Sequence, residues 1–180
     1  MNILIIADPL ATFKIYKDTT YAIIRAAVAR GHTVWACEQR ELFATPLVQS
    51  VVHQLTFHDG DQQDHWYSIA STQTRALARF DAVLMRKDPP FDTEYFYATH
   101  LLSRAQSQGA RVFNTGQALR DHPEKLAILE FPEFAPTTLV SSDAARIKAF
   151  INAQQDVIVK PLDGMGGTGI FRIKDRKSVV

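Results

Sequence analysis

The sequence of 180 residues is long enough for one domain, or for one domain and part of a second. Its composition, 46% hydrophobic and 10% aromatic residues, is that of a globular protein with a core. Lys and Arg number 20 against 19 Asp and Glu, so the net charge is +1. This balance excludes a global electrostatic field that recruits nucleic acid or an anionic membrane.

The first elements predicted along the chain form a strand–helix–strand unit. They are a buried strand over 2–7, a helix over 18–31 and a second strand over 32–37. Thr19 or Thr20 can cap the helix, and Gly31 supplies its stop. A βαβ unit of this length implies a parallel sheet.

The middle of the chain continues the α/β pattern less regularly. It predicts an extended run over 51–57, a polar loop over 58–66, a strand over 81–85, a helix over 92–109 and a short strand over 111–114. Pro123, Pro132 and Pro136 then follow closely and indicate a domain boundary near 115–136.

A second unit of mixed helix and strand is predicted after this boundary. Its elements are a strand over 137–140, a helix over 142–154 opened by Ser142, and strands over 156–160 and 170–174. We therefore predict an α/β domain with a parallel sheet over 1–121 and the first part of an α+β domain over 122–174.

Four of the eight glycines lie between the last two predicted strands, in "GMGGTG". The segment matches the dinucleotide fingerprint G-x-G-x-x-G. That fingerprint must be followed by a helix, however, and these glycines are followed by a strand-like run. The P-loop pattern fails as well, because Ile170 follows Gly169. The remaining prediction is a hairpin flap whose backbone amides, with Lys160, approach a nucleotide phosphate. A flexible hairpin tip with a solvated Lys160 is the alternative.

Polar residues follow two of the predicted parallel strands. Asp8 ends the first, and Arg86, Lys87 and Asp88 end the strand over 81–85. Ligands of parallel sheets bind outside the carboxyl ends of the strands, and a guanidinium group can hold a carboxylate at two points. Arg86 is therefore a candidate substrate clamp. The alternative is that Arg86 and Asp88 form a surface pair.

Other reactive side chains give no site. The histidines at 53, 58 and 65, near Asp59, Asp61 and Asp64, fit no closed metal-site spacing. The single Cys37 excludes an internal disulfide framework and is predicted to be a buried structural thiol of a cytoplasmic protein. The catalytic residues are unknown. The sequence contains no run of about 18 apolar residues, so no membrane span is predicted.

Four collinear segments resemble bacterial glutathione synthetase, an ATP-grasp ligase family. They are "ADPLATFKIYKDTTYAII", "VLMRKDPPFDTEYFYAT", "NTGQALRDHPEKL" and "VIVKPLDGMGGTGIFRIK". The resemblance covers residues 2–174. It implies that residues 1–121 form a Rossmann-like pre-ATP-grasp substrate domain and that 122–174 begin an ATP-grasp domain.

The resemblance also implies an activity. Members of the family condense γ-glutamylcysteine with glycine: ATP phosphorylates the cysteinyl carboxylate, and the amine of glycine attacks the acyl phosphate. Lys125, Lys160, Gly164, Gly166 and Gly167 match the ATP-binding positions of the family. Arg86, Lys87 and Asp88 match the segment that lines the peptide substrate site. Pro123 departs from the family, which more often has Asn there, and we expect Lys125 to be presented nevertheless from the first turn of a helix.

The resemblance further implies Mg²⁺ and a homo-oligomer. The metal ligands of the family lie further along than residue 174, so we expect no metal site in this chain. We interpret residues 175–180, "DRKSVV", as a non-native tail of an incomplete ligase, and we expect the chain alone to be inactive.

Three other functions remain as alternatives. They are another ATP-grasp carboxylate–amine ligase, a non-catalytic nucleotide-binding module and a dinucleotide-dependent oxidoreductase.

Overall fold

The computed structural model describes residues 1–58 and 65–174, and the chain divides into two units. The first unit comprises Met1–Asp88 and Thr93–Asp121, and the second comprises Pro89–Asp92 and the residues from His122 onward. The first unit contains one seven-stranded sheet. Its strands are β1 (Asn2–Ala7), β2 (Thr33–Glu38), β3 (Leu42–Ala44), β4 (Val48–Phe57), β5 (Tyr67–Ala76), β6 (Ala82–Met85) and β7 (Val112–Phe113).

Four of these strands form the parallel sheet that the sequence predicts. β1 lies between β2 and β6, and β7 extends the sheet beyond β6, with every one of these pairings parallel. β1 is apolar along its whole length after Asn2, and residues Ile3–Ala7 are all buried. A strand that is covered on both faces needs such a continuous apolar run rather than an alternating one.

The other half of the sheet is antiparallel, which the sequence did not predict. β4 pairs antiparallel with β2, β3 and β5, and the β4–β5 pairing runs from Gln49 opposite Ala76 to Phe57 opposite Tyr67. The extended run over 51–57 is confirmed as part of β4. β5 was missed because its side chains are mostly polar and exposed, so no apolar alternation marks it. Most of the predicted polar loop, residues 59–64, lies outside the described residues.

Helices α1 (Thr19–Ala29), α2 (Thr93–Ser107) and α3 (Gly116–Asp121) complete the first unit. The predicted cap of α1 is wrong. Asp18 is the N-cap, and its carboxylate accepts hydrogen bonds from the backbone amides of Thr20 at 2.7 Å and Tyr21 at 2.9 Å. Thr19 and Thr20 lie inside the first turn, where their hydroxyl groups are available to other partners. Gly31 follows the end of α1 with φ 74°, as its predicted role requires.

One face of the sheet packs on α1 around Trp66. The Trp66 ring lies 5.9 Å from the Phe13 ring and 5.2 Å from the Tyr21 ring, measured between centroids. Ile5 and Ile24 of the same cluster have no exposed surface. Burial of aromatic and branched side chains of this size is the main stabilising term of such a core.

The second unit contains α4 (Ala144–Gln154), β8 (Val157–Val159) and β9 (Phe171–Ile173). β8 and β9 pair antiparallel, with Val157 opposite Ile173 and Val159 opposite Phe171, so the predicted hairpin is confirmed. Asp143, not Ser142, caps α4, since its carboxylate accepts the amide hydrogen of Arg146 at 2.8 Å. The strand predicted over 137–140 is wrong. The segment has no partner strand in the described part of the unit, and β-branched residues alone do not make a strand.

Across residues 1–58 and 65–174, no helix combines the length and the hydropathy that a bilayer span requires.

Candidate substrate and nucleotide sites

The carboxyl ends of β1 and β6 lie side by side in the first unit. Ile6 and Met85 are partners in the parallel register, and the amide of Arg86 donates to the carbonyl of Ile6 at 2.7 Å. Residues that follow the two strands therefore meet at one edge of the sheet. The structure brings together Asp8, Arg86, Lys87 and Asp88, as the sequence pattern indicates.

Asp8 anchors the polar segment after β6. Its Oδ1 lies 2.8 Å from the ammonium group of Lys87, and its Oδ2 accepts the amide hydrogen of Asp88 at 2.9 Å. The Lys87 ammonium also donates to the Asp88 carbonyl at 2.6 Å. One carboxylate thus fixes both the side chain of Lys87 and the backbone of Asp88, and charge-assisted contacts of this kind are the stronger class of hydrogen bond.

Arg86 contacts α1 rather than Asp88. Its Nε donates to the hydroxyl oxygen of Thr20 at 3.2 Å, and its Nη2 donates to that of Thr19 at 2.8 Å. Within the described residues no ion pair joins Arg86 to Asp88, so the alternative of a simple surface pair is wrong. The guanidinium group is thus held by two neutral hydroxyl oxygens.

The electrostatics of this edge favour an added cation or proton at Asp88. Partial burial raises the pKa of Asp88 above its ordinary value, and the nearby carboxylates of Asp8 and Asp18 raise it further. Lys87 and Arg86 act in the opposite direction. A cavity of about 180 Å³ opens beside Asp8, in the same unit, and its other polar lining residues include Glu41, His53 and Tyr67.

In the second unit the glycine-rich segment forms the loop of the β8–β9 hairpin, which we call the flap (residues 160–170). Gly166 and Gly167 have φ values of 62° and 84°, and a Cβ atom at either position would meet nothing within 4 Å. Only glycine adopts this left-handed backbone freely. Gly164 is constrained differently, because a Cβ atom there would lie 3.0 Å from Cγ of Pro161.

The two predicted nucleotide lysines occupy different positions around the flap. Lys160 directly follows β8 and is exposed. Lys125 lies in a turn that precedes a 3₁₀ helix (Ala127–Glu130), and its side chain is largely buried. The predicted helical first turn after Pro123 is therefore such a turn rather than an α-helix. The Lys125 ammonium donates to the carbonyl of Gly164, so the structure brings this lysine against the flap.

The histidines do not assemble a metal site in the described residues. His53 lies 3.2 Å from the Glu41 carboxylate and 2.9 Å from the Thr72 hydroxyl group, and His58 contacts Ser68. No group of three His, Cys, Asp or Glu side chains able to hold a metal ion occurs within 1–58 and 65–174. The residues Asp59, Asp61 and Asp64, named with the histidines in the sequence, lie outside the described residues.

Comparison with known protein families decides the relationship. The prokaryotic glutathione synthetase N-terminal domain matches residues 1–120, and the prokaryotic glutathione synthetase ATP-grasp domain matches residues 124–180. The chain belongs to the prokaryotic glutathione synthetase family. The resemblance carried by the four sequence segments is thereby confirmed.

Relatives within the glutathione synthetase family cover almost the whole chain. The chain is 53% identical over 178 residues to glutathione synthetase of Bordetella parapertussis, covering 97% of this chain and 56% of that protein. It is 49% identical over 180 residues to glutathione synthetase of Neisseria meningitidis serogroup A, covering 98% and 56%. The chain therefore spans a little more than half the length of these relatives.

Solved structures agree on the fold. D-cycloserine synthetase DcsG has a TM-score of 0.58 at 20% identity, covering 95% of this chain and 50% of that one. The ATP-grasp ligase PsnB complexed with minimal precursor has a TM-score of 0.53 at 19% identity, covering 97% and 57%. The predicted α/β fold followed by part of an ATP-grasp domain is confirmed, with the predicted parallel pairing found in β2, β1, β6 and β7.

Sequence reasoning missed two residues at the sheet edge formed by the carboxyl ends of β1 and β6. Thr19 and Thr20 were considered only as helix caps, although they are the partners of Arg86. Two consecutive hydroxyl residues just after an acidic cap, in the helix that follows β1, are the only signal the sequence offers. That signal does not identify which side chain they contact.

Proposed function

We propose that this chain is part of an ATP-dependent ligase that joins γ-glutamylcysteine to glycine through an acyl phosphate. The observation that carries the proposal is the pair of consecutive matches, first to the N-terminal domain and then to the ATP-grasp domain of one family. The hairpin flap with Lys125 beside it supports the same assignment. In the proposed division, residues 1–121 bind the peptide substrate and residues 122–174 begin the nucleotide domain.

The proposed peptide site is the edge formed by Arg86, Lys87 and Asp88. Arg86 presents a guanidinium group that donates to two neutral hydroxyl oxygens, and such a group suits a substrate with free carboxylates. Lys87 is already paired with Asp8, so its proposed part is to hold the segment in place. Asp88 is the group available to the ammonium end of a dipeptide.

The proposed nucleotide site is the flap with its two lysines. ATP supplies the phosphoryl group that activates the carboxylate, and the residues present fit a polyphosphate. Gly164, Gly166 and Gly167 carry no side chains that would keep a phosphate from the backbone amides, Lys160 adds a charge at the strand end, and Lys125 donates to the flap from the preceding turn. Phosphoryl transfer depends mainly on such positioning and charge neutralisation.

The metal, the oligomeric state and the location complete the proposal. Mg²⁺ belongs to the chemistry of the family, and the described residues do not provide a group of three His, Cys, Asp or Glu ligands for it. We expect the ligands beyond residue 174. A homo-oligomer in the cytoplasm, with small-molecule substrates and neither nucleic acid nor membrane as partner, completes the proposal.

The first test is to sequence the source gene past the codon for Lys174 and to assay the product of the whole reading frame. We expect phosphate release that requires ATP, γ-glutamylcysteine and glycine together. The purified 180-residue chain is expected to release none. Phosphate release that does not require glycine would contradict the proposed reaction. Steady phosphate release by the 180-residue chain would contradict the proposal that it is only part of the ligase.

Ligand binding and substrate use distinguish the alternative functions. Titration of the 180-residue chain with ATP and with NAD distinguishes a nucleotide-phosphate site from a dinucleotide site. If ATP binds but the product of the whole reading frame has no ligase activity with any dipeptide, the non-catalytic nucleotide-binding module is the correct reading. Activity with D-alanine in place of γ-glutamylcysteine and glycine would indicate another ATP-grasp ligase.

A further inference from the structure

We propose that Thr19 and Thr20 are positioning residues that aim Arg86 at a carboxylate of the peptide substrate. The inference rests on the proposed function, because it assumes that Arg86 binds that substrate. It adds two residues of α1 to the site and states what each does there.

The hydrogen bonds select one edge of the guanidinium group. Nε and Nη2 of Arg86 share that edge, and they donate to the hydroxyl groups of Thr20 and Thr19 at 3.2 Å and 2.8 Å. The adjacent edge, made by Nη1 and the second hydrogen of Nη2, is not engaged by the threonines. A guanidinium fork binds a carboxylate with two parallel bonds along one edge, so this arrangement reserves an edge for a ligand.

The partners are neutral, and this matters for the charge. A carboxylate in place of either threonine would fix Arg86 equally well, but it would neutralise the positive charge. Hydroxyl oxygens fix the orientation and leave the charge available to an anionic ligand. Thr20 is 5% exposed and therefore has little freedom of its own.

The position of α1 makes the contact rigid. Asp18 caps the helix through the amides of Thr20 and Tyr21, which fixes the first turn. The Arg86 backbone is fixed in turn by its bond to Ile6. Both ends of each threonine–arginine contact are thus attached to the sheet or to a capped helix, as a positioning role requires.

The test measures binding of γ-glutamylcysteine to the 180-residue chain by titration calorimetry. Arg86→Gln is expected to weaken binding about tenfold or more, since it removes a charge-assisted pair. The double substitution Thr19→Val with Thr20→Val is expected to weaken it about three- to tenfold, because a mobile arginine must be ordered on binding. Thr19→Ser with Thr20→Ser keeps both hydroxyl groups and should stay within about twofold of the unsubstituted chain.

Two controls separate positioning from folding. Combining the valine substitutions with Arg86→Gln should add no further loss beyond about twofold, because the threonines act only through the arginine. Thr74→Val, on the exposed strand β5, should change neither binding nor the thermal midpoint. Circular dichroism checks that the threonine variants keep the thermal midpoint.

The outcomes are distinct. If the unsubstituted chain does not bind the dipeptide, the proposed substrate site is wrong and this inference fails with it. If Arg86→Gln weakens binding but the valine variant binds normally, the substrate site stands and the positioning role is overturned. A valine loss that persists undiminished in the Arg86→Gln background also overturns it, since the threonines would then act by another route.

Discussion

At the scale of single residues, Cys37 shows how burial controls chemistry. The thiol belongs to β2 and is 4% exposed, and burial raises its pKa to about 12 from an ordinary value of 9.0. The hydroxyl group of Ser50 opposes this shift, while Glu41 and Glu38 add to it. The thiolate is the reactive species, so a thiol with this pKa is inert at neutral pH.

Two measurements check this prediction. At pH 8 the folded protein should not react with an aromatic disulfide reagent, whereas the unfolded protein should release one equivalent of thiol. Between pH 9 and about 12 the unfolded state loses a proton that the folded state keeps, so the free energy of unfolding falls as pH rises through that window. Rapid reaction of the folded protein at pH 8 would contradict the burial of Cys37.

The sequence was sufficient to predict which residues lie at the sheet edge. Asp8, Arg86, Lys87 and Asp88 could be found because parallel strands end at one edge, and the strands themselves were visible as apolar runs. The partner of Arg86 could not be found, because it depends on where the first turn of α1 lies against that edge. Such a contact is set by packing, which no short sequence pattern encodes.

At the scale of elements, the N-cap of α1 shows how well a local sequence pattern predicts where a helix begins. The helix was predicted, but the cap was placed one or two residues too late, because Thr and Asp both suit the position and stand side by side. Asp18→Ala is expected to cost about 1 kcal/mol in the free energy of unfolding, since the amides of Thr20 and Tyr21 lose their acceptor.

Chemical denaturation measures this cost, and Asp18→Asn is the matched control. Asparagine caps about as well as aspartate, so the control should lose only a few tenths of a kcal/mol. Equal losses in the two variants would mean that the charge of Asp18, rather than its capping bonds, provides the stabilisation.

A second prediction at the scale of elements compares a glycine of the flap with a glycine outside it. Both have a left-handed backbone, but only the flap glycine is expected to affect ATP binding. Gly167 in the flap has φ 84° and Gly31 after α1 has φ 74°, and a Cβ atom at either would meet nothing within 4 Å. Alanine at either position therefore costs about 1–2 kcal/mol of backbone strain without a steric clash. Gly167→Ala is expected to weaken ATP binding about tenfold as the flap changes shape.

Gly31→Ala serves as the control for that experiment. It carries a similar strain in the first unit, so it should lower the thermal midpoint while leaving ATP affinity unchanged. ATP affinity is measured by calorimetry on both variants. If the two variants bind ATP equally well, the flap conformation is not part of the nucleotide site.

At the scale of the whole molecule, the two units differ in how much apolar surface they bury. The first contains a sheet whose central strands are covered on both faces. In the described part of the second, the buried apolar side chains are Ile151 and Ile173, while Phe131 and Phe171 are more than half exposed. A unit that buries so little lacks the main favourable term of folding.

The whole-molecule prediction follows from this difference and concerns stability. A chain of residues 1–121 is expected to unfold cooperatively in urea with nearly the same midpoint as the 180-residue chain, because the first unit contains most of the core. Limited proteolysis of the longer chain should cut first within 122–174 and leave a resistant product that ends near residue 121. A clearly lower midpoint for residues 1–121 would mean that the second unit stabilises the first. In that case the boundary predicted from the prolines would not separate two independently folding parts.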